Sequence, residues 1–418
     1  MVGHELEEMY AESCPHCFRQ SLEEFIRSEY LNAAGELRDA LKEFTDGDVE
    51  QARSRLFELY GSNLRRGVGQ VYKPSTTNPK ELEYLFRFEK NVSKFAAHKA
   101  DYAIRTLERA RAAKPDEFDK IGKSLLKTFN RYQSTEYNTT VSRTRTAKQF
   151  ATFMERADVL PNLQWIRTRS ANPREEHRLY AGMILPKGDP FWNENQPGNL
   201  WNCKCDWIET AKGSTQAPDE SEYIAPARGL EGNPAQTYEL ITDRATYISK
   251  TRLTPDEVCS FSYPDTKSKL QISVIADNRE FTDNILTGRI LAQNPELKSI
   301  SIRPHIVADG IKNPEYLING YISDAKRIEG YSGIANGFNR ALRRQGCKSV
   351  IIDFNAHFDT SRPLDVNKVV GKILNRSNDF TSGRVIECWL VFGEKSIVLT
   401  AKDINRSALV NLIKGLMP

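Results

Sequence analysis

No apolar run in the 418-residue chain approaches the roughly 20 residues needed to span a bilayer. The opening "MVGHELEEMY" is acidic, without the basic stretch and apolar run of a secretion signal. A membrane partner is therefore not expected, and a cytoplasm is the expected site of synthesis. Internal repeats are absent, and low complexity is confined to short linkers. Seven cysteines, an odd number with no secretion signal, argue against a disulfide scaffold. Four of them form close pairs, Cys14/Cys17 and Cys203/Cys205, which directs attention to metal instead. Net charge is only +4, yet residues 264–418 hold 22 Lys and Arg against 16 Asp and Glu, so a polyanion is the partner expected for that part.

What is present is a multidomain chain, since 418 residues exceed one ordinary core. Residues 1–157 are expected to be mainly α. Leu85, Phe88, Val92, Phe95, Tyr102 and Leu107 recur at helical spacing between Pro79, a first-turn residue, and Pro115, a stop. A second helical run covers roughly Gln133 to Arg156 and is rich in Thr, Arg and Ser. Residues 158–210 change texture: dense Trp, Pro, Gly and Asn predict a loop-rich unit held by aromatic packing. Residues 211–263 read as linker and docking tail, with "AKGSTQAPDESEY" the most linker-like stretch and a second linker from Thr251. Residues 264–418 alternate strand and helix, an α/β (α+β) domain.

The order Trp165, Arg174, His177, Gly182, "DPFW" at 189–192, Pro197 and "NCKC" at 202–205, preceded by the helix "SRTRTAKQF", resembles the domain of the phage Mu F protein and related minor head-morphogenesis proteins. Arg145 stands where that pattern carries an acidic residue, and Cys-Lys-Cys replaces Cys-Arg-Cys. The resemblance implies a minor capsid component near the portal vertex, sometimes packaged in the virion, with portal and capsid proteins as partners and the host cytoplasm as the place of assembly. Separately, His177, Cys203 and Cys205 are suitable zinc ligands, and Cys14 and Cys17 could complete a four-ligand structural site. The alternative is that the thiols pack as small hydrophobes and His177 is a hydrogen-bonded packing residue.

The stretch "NPEYLINGYISDAK" at 313–326 centres on Asn319-Gly320, which predicts a two-residue hairpin turn. That register pairs Ile318 with Tyr321, Leu317 with Ile322 and Tyr316 with Ser323. Glu315 then opposes Asp324, on the face that also carries Lys326. Opposed like charges destabilise a strand pair, and a hard divalent cation between them removes the penalty.

Pro314-Glu315 followed by Asp324-x-Lys326 also resembles the PD-(D/E)xK nuclease signature. The layout after it, with Gln345 and "VIIDFN", resembles the C-terminal toxins of contact-dependent growth-inhibition systems. These resemblances imply Mg²⁺ or Mn²⁺ held by Glu315 and Asp324, Lys326 as the catalytic lysine, and Glu280 as an additional ligand. They also imply a nuclease toxin that cleaves RNA, tRNA in particular, in preference to DNA, and an immunity protein as a further partner. Phage head proteins fused to such toxins are a known arrangement.

Arg340, Arg343, Arg344 and Gln345 are the candidate nucleic-acid contacts. Bland readings stand beside these: a wet Lys326–Asp324 pair, Glu280 as the third residue of a capping box opened by Asp277, and the arginines as a solvated helix face. Two rivals keep the domain without that metal site. One is a metal-independent ribonuclease of the barnase, EndoU, colicin and RelE grouping, using Lys326, the arginines and His305 or His357. The other is a purely structural head protein.

Overall fold

The computed structural model describes residues 33–166, 176–254, 259–263 and 269–417. Cys14, Cys17 and Arg174 lie outside them. The chain divides into two compact units, Met1–Cys259 and Ser260–Pro418. Among the described residues no helix is long and apolar enough to cross a membrane.

The first unit is built on helices α1 (33–46), α2 (Val49–Val71), α3 (Pro79–Ala113), α4 (Phe118–Arg131) and α5 (Gln133–Met154). Local chemistry sets the limits of α3. The Asn78 side chain accepts hydrogen bonds from the amides of Lys80 and Glu81, Pro79 occupies the first turn, and the helix ends at Ala113 ahead of Pro115. The six apolar residues spaced along it are all buried. So is most of its polar surface between Glu89 and Thr106, which one amphipathic stripe does not explain. Part of the cover is the chain downstream. Asn91 accepts from the amides of Leu240 and Ile241 and donates to the Ile241 carbonyl, while the Tyr84 hydroxyl donates to the Ala235 carbonyl.

Helix α5 is buried although it is rich in hydroxyls. Thr139, Thr144 and Thr146 each donate to the carbonyl one turn back, so burial leaves these hydroxyls satisfied. Its Glu136 meets Lys99 of α3 in a fully buried pair, with Nζ 2.8 and 2.6 Å from the two carboxylate oxygens.

The loop-rich part carries a three-stranded antiparallel sheet in the order β2-β1-β3, with β1 Asn162–Ile166, β2 Ile184–Pro186 and β3 Asp206–Thr210. Aromatic packing holds it: Trp165 lies 5.1 Å from Tyr180, Trp192 5.5 Å from Trp207, and Phe150 of α5 5.6 Å from Trp207. The linker-like stretch from Ala211 is packed against this unit. Thr215 pairs with Ile184 through both its amide and its hydroxyl, and Tyr223 stacks edge-on against Phe191 at 5.1 Å.

The second unit is a mixed eight-stranded sheet in the order β11-β10-β9-β8-β7-β6-β5-β4. Its strands are β4 Ser260–Ser262, β5 Leu270–Ser273, β6 Ile300–Ile302, β7 Tyr316–Ile318, β8 Tyr321–Arg327, β9 Ser349–Asp353, β10 Glu387–Phe392 and β11 Lys395–Leu399. The parallel pairs are β5–β6, β8–β9 and β9–β10. Strand β4 falls within the stretch expected to be the second linker, where "SFS" pairs with β5 at the sheet edge. Helix α6 (Phe281–Ala292) packs against the sheet, its Gly288 close to Leu270.

Helices α7 (Gly333–Asn339), α8 (Val366–Leu374) and α9 (Arg406–Leu416) share a core with Val350 and Ile352 of β9 and Leu390 and Phe392 of β10. Strand β10 is buried at every position, as a central strand covered on both faces must be. Asp277 does not act as the expected side-chain cap. Helix α7 begins without a cap bond, and α6 begins one residue after Glu280, because Asp277 is taken by the amide and guanidinium of Arg279.

The buried Lys99–Glu136 pair generates a stability test. Lys99→Met takes the ammonium away from the buried Glu136 carboxylate and should cost about 3–5 kcal/mol. The double variant Lys99→Met/Glu136→Leu removes both charges and should recover most of that loss. Denaturant unfolding of the full chain, followed by its helical signal, measures both.

Candidate functional site

The hairpin of the second unit forms in the expected register: Ile318 faces Tyr321, Leu317 faces Ile322 and Tyr316 faces Ser323. Asn319 and Gly320 both adopt positive φ, +48° and +86°, as the two-residue turn demands. The Asn319 side chain has a second task. It accepts from the amides of Lys298 and Ser299 and donates to Glu387, which tethers the turn to its neighbours.

Beyond the paired residues, Glu315 and Asp324 come together, and the Glu315 carboxylate accepts the amide of Ala325 at 3.3 Å. Asp324 is fully buried, and Lys326 Nζ lies 2.5 Å from its Oδ2. Neither Asp324 oxygen accepts a well-directed hydrogen bond among the described residues. Burial, and then the adjacent Asp324, raise the Glu315 carboxyl well above the ordinary carboxylate range, with Lys326 opposing. On the same side, Gly337 of α7 packs so closely that a Cβ there would stand 3.2 Å from Lys326 Cβ.

Strand alternation decides what joins this group. Lys326 and Arg327 point to opposite faces. Arg327 reaches Glu280 at 3.2 Å and Asn284 at 2.9 Å, so the Glu280 carboxylate is engaged there. A cavity of about 490 Å³ is lined by Glu280, Arg303, Lys312, Glu315, Arg344 and Gln345, among others. Arg340 and Arg343 are exposed and are not part of that lining. His305 also borders the cavity, its Nδ1 3.4 Å from Asp277. His357 is exposed in the turn after β9.

Three residues that hold the site escaped sequence reasoning. Arg303 binds the Pro314 carbonyl at 2.9 Å, Asn284 ties Tyr316 and Arg327, and buried Glu387 accepts from Asn319, Ser349 and Trp389. None belongs to a local pattern. Only the burial of a carboxylate within the apolar run "VIECWLVF" hinted at Glu387.

The first unit brings a second group together. His177 Nδ1 lies 3.2 Å from Cys205 Sγ and 3.4 Å from Cys203 Sγ. His177 and Cys203 are each only 4% exposed. The Cys203 thiol is held well below its ordinary value, chiefly by its hydrogen bond with Cys205 and also by His177, against the effect of burial.

Residues 94–208 match the model of the family described as Phage Mu protein F like protein, so the chain carries a Mu F-like domain there. The match begins within α3 and runs through α4, α5 and the three-stranded sheet. Over 72 residues the chain is 32% identical to the putative capsid assembly protein F of Escherichia phage Mu, covering 17% of this chain and 16% of that protein. Over 85 residues it is 28% identical to the Mu-like prophage FluMu F protein of Haemophilus influenzae, covering 20% and 18% respectively. The chain thus matches less than a fifth of the length of these curated relatives. No solved structure gives a significant match.

The carboxylate pair generates a pH prediction. Glu315 has a raised folded-state pKa, so its favourable contribution is present below the unfolded value, near 4.3, and is lost as pH rises toward the folded one. The melting temperature of metal-free protein should therefore fall across that window. Glu315→Gln should flatten the fall, and Mn²⁺ should offset it at neutral pH. Thermal melts of the full chain across pH, with and without Mn²⁺, read all three effects.

Proposed function

We propose that this chain is a minor component of a phage head whose second unit is a metal-dependent nuclease directed at RNA, tRNA before DNA. The head assignment rests on the Mu F-like domain and on the capsid-assembly name of the phage Mu relative. It carries portal and capsid proteins as partners, the virion and host cytoplasm as locations, and an immunity protein as partner of the nuclease. The nuclease assignment rests on one observation: Glu315, buried Asp324 and Lys326 meet on one hairpin, and Glu315 lines a cavity with basic side chains.

The donor set fits Mg²⁺ or Mn²⁺. Two carboxylates crowd together, Asp324 Oδ1 has no partner among the described residues, and a hard cation that keeps several waters needs only one or two protein ligands. Glu315 and Asp324 would hold it, and when bound it would neutralise phosphate charge and acidify a water. Lys326, released from Asp324, would orient that water and donate to a non-bridging phosphate oxygen. Arg344 and Lys312 at the cavity supply contacts for flanking phosphates. The reaction is hydrolysis: the water oxygen bonds to phosphorus, the ester P–O bond breaks, and the leaving oxygen takes a proton.

The test incubates the full chain with total tRNA and with plasmid DNA, in Mg²⁺ or in EDTA, beside Asp324→Ala and Lys326→Met. Cleavage that requires metal is expected, with each variant at least about 100-fold slower, as loss of transition-state charge stabilisation dictates. Cleavage in EDTA that survives Asp324→Ala would assign a metal-independent ribonuclease. No cleavage by the native chain would leave a structural head protein.

A further inference from the structure

The His177, Cys203 and Cys205 cluster is independent of the carboxylate pair, and its geometry asks for a cation. Their three ligand atoms lie within 4.8 Å of one another. A neutral imidazole presents either one proton or one lone pair at Nδ1, yet both sulfurs crowd that same nitrogen. A tetrahedral zinc, about 2.3 Å from sulfur and 2.0–2.1 Å from nitrogen, separates those ligands by about 3.5 Å. The observed 3.2 and 3.4 Å are close to that edge.

The cluster is also built in advance from separate parts of the domain. His177 sits in the turn Glu176–Arg178, and its ring lies edge-on to Trp165 at 5.4 Å. The Cys203 carbonyl accepts from the Ser142 hydroxyl of α5 at 3.2 Å, and the Asn202 amide donates to the Thr139 hydroxyl at 2.8 Å. Asn202 holds φ at +58°, an arrangement that turns the chain into Cys203. Among the described residues, buried His177 Nε2 has no hydrogen-bond partner that would anchor the ring elsewhere. On the open side, Cys203, Cys205 and Asp206 border a cavity of about 410 Å³.

We propose that His177, Cys203 and Cys205 form a three-ligand zinc site whose fourth position opens on this cavity. The metal clips the turn at 177 to the segment at 203–205, closing the loop-rich unit where its sheet alone contributes only short strands. A soft divalent metal suits the thiolates, whereas Mg²⁺ and Ca²⁺ do not.

The test uses the full chain, expressed with zinc supplied and passed over a weak chelator. Elemental analysis of the native chain should find bound zinc, at one ion per chain for this site. Cobalt exchanged into it should show thiolate-to-metal charge transfer and tetrahedral d–d bands. Alkylation mapped by mass spectrometry should find Cys203 and Cys205 protected, and EDTA should expose both, a readout that needs no variant. Cys203→Ser/Cys205→Ser should lose the zinc and the cobalt bands, while Cys14→Ser/Cys17→Ser reports whether that pair adds a ligand. Absence of zinc from the native chain, a Cys203–Cys205 disulfide, or cobalt bands that persist in Cys203→Ser/Cys205→Ser would each overturn the assignment.

Discussion

The guanidinium of Arg143 ties the first unit together. It is almost fully buried in α5, and among the described residues it makes no ion pair with a carboxylate. Instead Nη1 donates to the carbonyls of Gly198 and Leu230, and Nη2 to those of Glu231 and Gly232. Burial pulls its pKa down to about 10, and the nearby Glu231 and Glu194 hold it up. A buried charge of this kind is tolerated only where dipoles surround it, so the two loops must close around it. Gly198 marks how tightly they do so. Its φ is +97°, and a Cβ there would stand 3.0 Å from Arg143 Cγ, which leaves no other residue without strain.

The same helix face holds the cluster of His177, Cys203 and Cys205 in place. Ser142 grips the Cys203 carbonyl, Thr139 the Asn202 amide, and Arg143 the loop just before them. Thus a helix with a polar face orders the backbone of this segment through hydrogen bonds. The loops gain partners for backbone groups that burial would otherwise leave unpaired. The Mu F-like match runs through the helix and the segment at 198–205, and ends before the loop at 230–232.

Much of this organisation is legible in the sequence, and the exceptions share a cause. Helix α3 is readable because its cap, its proline and its apolar spacing are all local. The hairpin is readable because Asn319-Gly320 fixes both turn and register. By contrast, the destination of Arg143 lies up to 89 residues away, and a Thr-rich stretch reads as exposed unless its hydroxyls are known to bond within the helix. "AKGSTQAPDESEY" reads as linker by composition, yet backbone bonds and Tyr223 dock it. Asp277 and Glu280 have capping-box spacing, but Arg279 between them captures the aspartate, and Arg327 of a distant strand takes the glutamate. The task of Glu387 was hidden because two of its three partners, Asn319 and Ser349, lie far away in the chain.

The carboxylate pair is hard to explain as an element of stability. A hairpin inside a mixed sheet is stabilised by apolar pairs such as Ile318 with its buried neighbours, and the ladder beside Asp324 offers Val350 as a partner. An apolar residue at 324 would match that surrounding. In its place stands a fully buried aspartate, opposed by a glutamate that burial and its neighbour drive toward protonation, with one lysine to balance two acids. Desolvating such a group costs several kcal/mol, and a single partly exposed ammonium offsets only part of it. Local rules of this kind are broken where a site must bind something, and the rest of the fold carries the loss. Tethers on either side, Arg303 on Pro314 and Glu387 on Asn319, keep the two strands from slipping apart under that repulsion. The scaffold therefore holds two acids at a spacing that they alone oppose, which is the arrangement a cation would stabilise.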